Sequence, residues 1–118
     1  MTSQPSRCVI EVRRIDGAAV VAVRGTVDAL TAPQLEEAIA AAAAAAPAAI
    51  VVDLVAVDFL ASSGMGVLVA AHIDLAPSVR VAIVADGPAI GRHLKLIGIA
   101  DMVSVFAELG EALAALRD

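Results

Sequence analysis

The sequence contains no tryptophan, no tyrosine and only two phenylalanines, so any core it builds is aliphatic and rich in alanine. A single cysteine, Cys8, excludes an intramolecular disulfide, and no Cys/His cluster has the spacing of a zinc site. Cys8 is expected to be a buried or incidental thiol, because a reactive thiolate needs a cationic neighbour and Arg7 alone is weak support. Positive charge is scarce as well. Eight Lys+Arg against thirteen Asp+Glu give a formal charge of −5 with no basic stripe, which argues against DNA or RNA as a partner. A Walker-type phosphate loop is missing, and His72 and His93 have no carboxylate at metal-ligand spacing, so no cofactor and no metal are expected.

Mean hydropathy is high, at +0.89. Even so, the alanine-rich stretch at 38–50 is broken by Pro47 and falls short of the roughly 20 residues a bilayer span requires. Residues 1–7 are polar, contain Pro5 and lack a signal-peptide pattern; they are expected to form a flexible N-terminus. The protein is therefore expected to be cytoplasmic, without a membrane partner. What is present points to one domain over residues 8–118. A chain of 118 residues, 60% hydrophobic and 18% charged, has enough apolar surface for a single core and is too hydrophobic to be disordered.

Two β-branched runs, 9–15 and 18–24, flank Asp16-Gly17, a dipeptide suited to a two-residue hairpin turn. Thr31-Ala32-Pro33-Gln34 has the form of a capping box, with Leu30 and Leu35 at hydrophobic-staple spacing; it predicts a helix from Thr31 to Ala46, ended by Pro47. Residues 49–54 form a nearly continuous apolar run, expected as a central strand. Met65, Leu68, Val69 and His72 then recur at helical spacing behind Ser62-Ser63-Gly64, which predicts a second helix starting at the serines and over by Pro77. A strand at 79–85, a helix opening at Asp86-Gly87-Pro88 with Ile90, Leu94 and Ile97 on one face, a strand at 102–106 and a final helix complete the pattern. The expected fold is α/β: a mixed, mostly parallel sheet with an N-terminal antiparallel hairpin and about four helices.

Few residues escape a packing explanation. Leu60-Ala61-Ser62-Ser63-Gly64 resembles half a nucleophile elbow, but leucine stands where that turn needs glycine and no ordered acid and base follow, so no catalysis is expected. A hydroxyl at a helix start caps free N–H groups, and the same end tolerates an anion. Ser62 or Ser63 can serve in either way. A phosphoryl group there would bring about −1.5 to −2 charges and change the surface without unfolding the domain.

Gly25-Thr26-Val27-Asp28, Thr31-Ala32-Pro33, Val52-Asp53-Leu54 and the stretch from Phe59 to Leu68 resemble, in order, the motifs of the STAS domain of bacterial anti-sigma factor antagonists. Pro88-Ala89-Ile90, Leu94, Ile97-Gly98-Ile99 and Ala112-Leu113 extend the resemblance over nearly the whole chain from Cys8. It implies a non-catalytic STAS fold that binds an anti-sigma factor, often itself a serine kinase, when unphosphorylated and releases it on phosphorylation. The phosphoacceptor falls on Ser62, and Ser63 aligns with the neighbouring helix-start position. Asp28, Ser62, Ser63, Gly64 and Met65 form the implied partner-binding set. Asp28 orients the hydroxyl or meets the partner in one reading and is an Asx-type loop residue in the other. Gly64 either lets a partner backbone approach or permits the turn. Ala61 stands where the family usually has Asp, and Val55 where it commonly has Ser or Thr; Asp58, three residues upstream of Ala61, does not simply replace the carboxylate. The alternative the resemblance leaves open is a STAS-type accessory subunit of a lipid-trafficking ABC transporter.

Overall fold

Strands β1 (Cys8–Ile15) and β2 (Ala18–Val27) pair as the expected antiparallel hairpin. Asp16 at φ 52° and Gly17 at φ 84° supply the two left-handed positions that a type I′ turn demands. In the computed structural model, which describes residues 8–117, strands β3 (Ala49–Leu60), β4 (Arg80–Val84) and β5 (Ser104–Phe106) follow. The sheet order is β1-β2-β3-β4-β5, with every pair after the hairpin parallel. The N-terminus expected at 1–7 lies outside the described residues.

Helices α1 (Ala32–Ala44), α2 (Ser62–Leu75) and α3 (Arg92–Leu96) carry the main core. Leu35, Ile39, Met65, Leu68 and Leu94 pack there against Val21, Ile50, Val52 and Ile83. The last helix, α4 (Leu109–Arg117), covers the opposite side, where Ala112, Leu113 and Leu116 meet Val20, Val51 and Val84. Residues 49–52 are buried in succession because both faces of β3 are covered at that point, as their unbroken apolar run requires. Among the described residues, no helix is long and apolar enough to cross a membrane.

Several local expectations are corrected. Strand β3 runs six residues past Leu54, and its register against β2 slips between Ala22/Arg24 and between Gly25/Thr26. These bulges break the period-two alternation, so Val57 and Leu60 stay buried while Val55, Asp58 and Phe59 are exposed. The capping box at Thr31 does not form. Thr31 makes no side-chain cap bond, and the Gln34 Nε2 donates to the Cys8 carbonyl at 2.9 Å, tying α1 to β1. The staple fails too, since Leu35 is buried but Leu30 is 79% exposed. The third helix begins as a π-helical turn over Gly87–Gly91, with the Asp86 carboxylate accepting from the Gly87 N–H at 2.8 Å. Helical geometry then ends at Leu96, so Ile97 leaves the buried face that Ile90 and Leu94 share. Strands β4 and β5 are shorter than the apolar runs that announced them.

Candidate functional site

The Ala61 N–H donates to the Val27 carbonyl at 2.8 Å, which locks the ends of β2 and β3 side by side. Asp28 and Ser62 are the next residues along each chain, so this bond brings the two to the same end of the sheet. Ala61 is extended (φ −78°, ψ 167°) and is the N-cap of α2, its carbonyl accepting from the N–H groups of Gly64 and Met65 at 3.0 and 3.1 Å.

The cap is therefore not a serine. Ser62 and Ser63 occupy the first two helical positions, both exposed, with no side-chain cap bond. Neither hydroxyl makes a side-chain hydrogen bond among the described residues. The first turn of a fourteen-residue helix sits behind them, with the partial positive charge of its N-terminus directed at whatever these hydroxyls carry.

Gly64 and Met65 are buried, and their contribution lies beneath the surface. A Cβ on Gly64 would stand 2.6 Å from Val27 Cγ1 and 2.7 Å from Leu60 Cδ1. The glycine is needed for the helix's own approach to the sheet, and this close packing sets where the serines emerge. Met65 packs into the main core one residue further on.

Asp28 is half-buried and organises its loop. Its Oδ1 accepts from the N–H groups of Leu30 and Thr31 at 2.9 and 3.1 Å, the Asx arrangement, while the Thr31 hydroxyl donates to the Thr26 carbonyl at 2.8 Å. Asp28→Ala is expected to cost about 1 kcal/mol, as loss of a cap does. Urea titration against wild type measures it, and an unchanged midpoint would remove this structural role. Asp58 is engaged elsewhere: its Oδ1 accepts from the Thr26 hydroxyl at 2.9 Å.

Cys8 is fully buried, as expected. Burial pushes its thiol pKa up, and the negative charge of Asp28 adds to that shift. The folded protein thus favours the neutral thiol, and this contribution to stability is lost as pH rises through the ordinary thiol range and above, where the unfolded chain ionises first. Folded protein is expected to react with a thiol reagent at pH 8 far more slowly than protein in urea; equal rates would contradict it.

Two apolar side chains missed in the sequence flank these polar groups. Leu30 stands two residues beyond Asp28, and Phe59, 54% exposed, stands three before Ser62. The only signal for Leu30 was its place in a staple that does not form; Phe59 was hidden by the bulge. Large apolar groups exposed beside a polar centre are characteristic of interaction surfaces.

The STAS domain family model matches residues 9–112. The chain is 36% identical over 115 residues to the anti-sigma-F factor antagonist RsfB of Mycobacterium tuberculosis, covering 98% of this chain and 94% of that one. The crystal structure of an anti-sigma factor antagonist from Mycobacterium paratuberculosis superposes with a TM-score of 0.92 at 40% identity, over 99% of this chain and 100% of that one. The fold extends to SpoIIAA in its unphosphorylated form, at a TM-score of 0.76 and 20% identity over 92% of this chain and 96% of that one. With a family match across almost all of its length and the sheet and helix order that the motifs anticipated, the chain belongs to the STAS domain family.

Proposed function

We propose that this protein is an anti-sigma factor antagonist whose docking surface is the end of the sheet carrying Asp28, Leu30, Phe59 and Ser62, and that phosphorylation of Ser62 releases the anti-sigma factor. The observation that carries the reading is the Ser62 hydroxyl, exposed at the start of α2 with no hydrogen bond to another described side chain. The name of the mycobacterial relative supports the partner class. A SpoIIAA of Bacillus, alike in fold, has been solved in a phosphorylated form, which is a statement about that protein and a precedent for the fold.

Transfer would form an O–P bond from Ser62 Oγ to the γ-phosphorus of ATP, break the bond to ADP and release the hydroxyl proton. This chain has alanine at position 61, and the Asp58 carboxylate is held by Thr26, so the proton acceptor belongs to the kinase. Such a switch operates in the cytoplasm, where sigma factors act. Intact-mass measurement after incubation with ATP and an anti-sigma kinase tests it. The expected result is a gain of one phosphoryl group mapped to Ser62. Tight binding to that kinase with no mass gain would overturn the switch and leave a constitutive antagonist.

A further inference from the structure

At the opposite end of α2 from Ser62, a cleft of about 410 Å³ opens between the end of the helix and the starts of β4 and β5. Its size lies in the ~300–1,000 Å³ range of small-molecule sites. Pro77, Val81 and Met102 give it apolar walls, and His72, Arg80 and Ser104 give it polar ones. These three polar groups share a feature. Among the described residues, Arg80 has no ion pair, Ser104 no side-chain hydrogen bond and the buried His72 Nδ1 no hydrogen-bond partner.

Unsatisfied buried nitrogens are uncommon in folded proteins, while Arg80 and Ser104 are exposed, so that their polar groups are open to a ligand arriving from solvent. The nearest acids in the sequence do not compensate. Asp74 lines a separate groove between α1 and α2, and Asp101, although next to Met102, is not among the cleft residues. The cleft thus combines a cation and hydrogen-bonding groups with apolar side chains, and has no carboxylate in its lining.

We infer that this cleft is a binding site for a small monoanionic organic acid: its carboxylate faces Arg80, Ser104 and His72, and its short aliphatic tail lies on Pro77, Val81 and Met102. Arginine pairs with a carboxylate through two parallel N–H donors, and the Ser104 hydroxyl supplies a further donor. A doubly charged ligand is less suited, because Arg80 is the single full cation in the lining. The site is independent of the phosphorylation reading, since none of its residues belongs to the Ser62 end.

The test is a titration of the ¹⁵N-labelled protein with octanoate, with octan-1-ol and inorganic phosphate as parallel probes. Octanoate is expected to shift the amides around His72, Arg80 and Ser104 with a dissociation constant on the order of 1 mM or tighter, a scale that suits a ligand of this few atoms. Octan-1-ol, with the tail but not the charge, and phosphate, with charge but no tail, are each expected to bind at least about tenfold more weakly, the factor that one lost charged or apolar contact of about 1.4 kcal/mol supplies. Arg80→Gln is expected to reduce octanoate affinity to the level of octan-1-ol. Shifts elsewhere in the molecule, equal binding of octanoate and either parallel probe, or undiminished affinity in the variant would overturn the assignment. The comparison of probes on the wild-type protein stands even if the variant is unstable.

Discussion

Ser62→Asp is expected to weaken binding to the cognate anti-sigma factor by about 30-fold or more, while Ser62→Ala binds as tightly as wild type and cannot be released by ATP. The magnitude follows from desolvation. A partner that covers Ser62 together with Leu30 and Phe59 takes the added carboxylate out of water, and leaving a charge unpaired in an interface costs about 2–5 kcal/mol. The fold itself should tolerate the change, because the new charge stands at the positive end of α2 and on an exposed side chain. Thermal unfolding of the two variants should accordingly differ little from wild type, which separates loss of docking from loss of structure. Isothermal titration or surface-based binding measures the effect. Equal affinities of wild type and both variants would show that the partner docks elsewhere.

Gly64→Ala is expected to destabilise the domain by about 1–3 kcal/mol through overpacking, and to weaken partner binding as well. The methyl group has nowhere to go. Leu60 Cδ1, at 2.7 Å, is the end of a flexible side chain and can rotate away, but Val27 Cγ1, at 2.6 Å, belongs to a β-branched residue on a strand and can yield only if α2 lifts from the sheet. Lifting the first turn moves Ser62 relative to the Asp28 loop. Adding Val27→Ala should recover part of the loss, since it removes the methyl group that the new one meets, even though Val27→Ala alone is destabilising. Urea titrations of the four proteins form a double-mutant cycle, and strict additivity would rule out the contact.

The architecture was legible because it rests on local chemistry and apolar period. Asp16-Gly17 announced the hairpin, the run at 49–52 announced a strand covered on both faces, and the spacing of Met65 and Leu68 behind the serines announced α2. The proposed phosphoacceptor position and the expected partner class came from motif resemblance, which carries residue identity but no geometry. Where the reading missed, a distant partner had captured a group expected to act locally. Gln34 was assigned to the helix cap and bonds instead to Cys8, twenty-six residues away, while the Asp28 carboxylate took the Thr31 N–H that the Gln34 side chain would have used in a capping box. The extension of β3 was invisible because its bulges, stabilised by pairing with β2, erase the alternation by which a strand is recognised.

By itself, the sequence determined a single α/β domain with an aliphatic core, a helix starting at Ser62 and its membership of the family, because turn dipeptides, apolar period and ordered motifs are properties of neighbouring residues. Tertiary structure decided which groups are available. The bond from Ala61 to Val27 brings Asp28 and Ser62 to one end of the sheet, Gly64 is required by side chains from two strands, and Ala61, not a serine, caps α2 so that both hydroxyls face solvent. The contacts of Ala61 and Gly64 with Val27 join segments more than thirty residues apart, for which one-dimensional spacing holds no record.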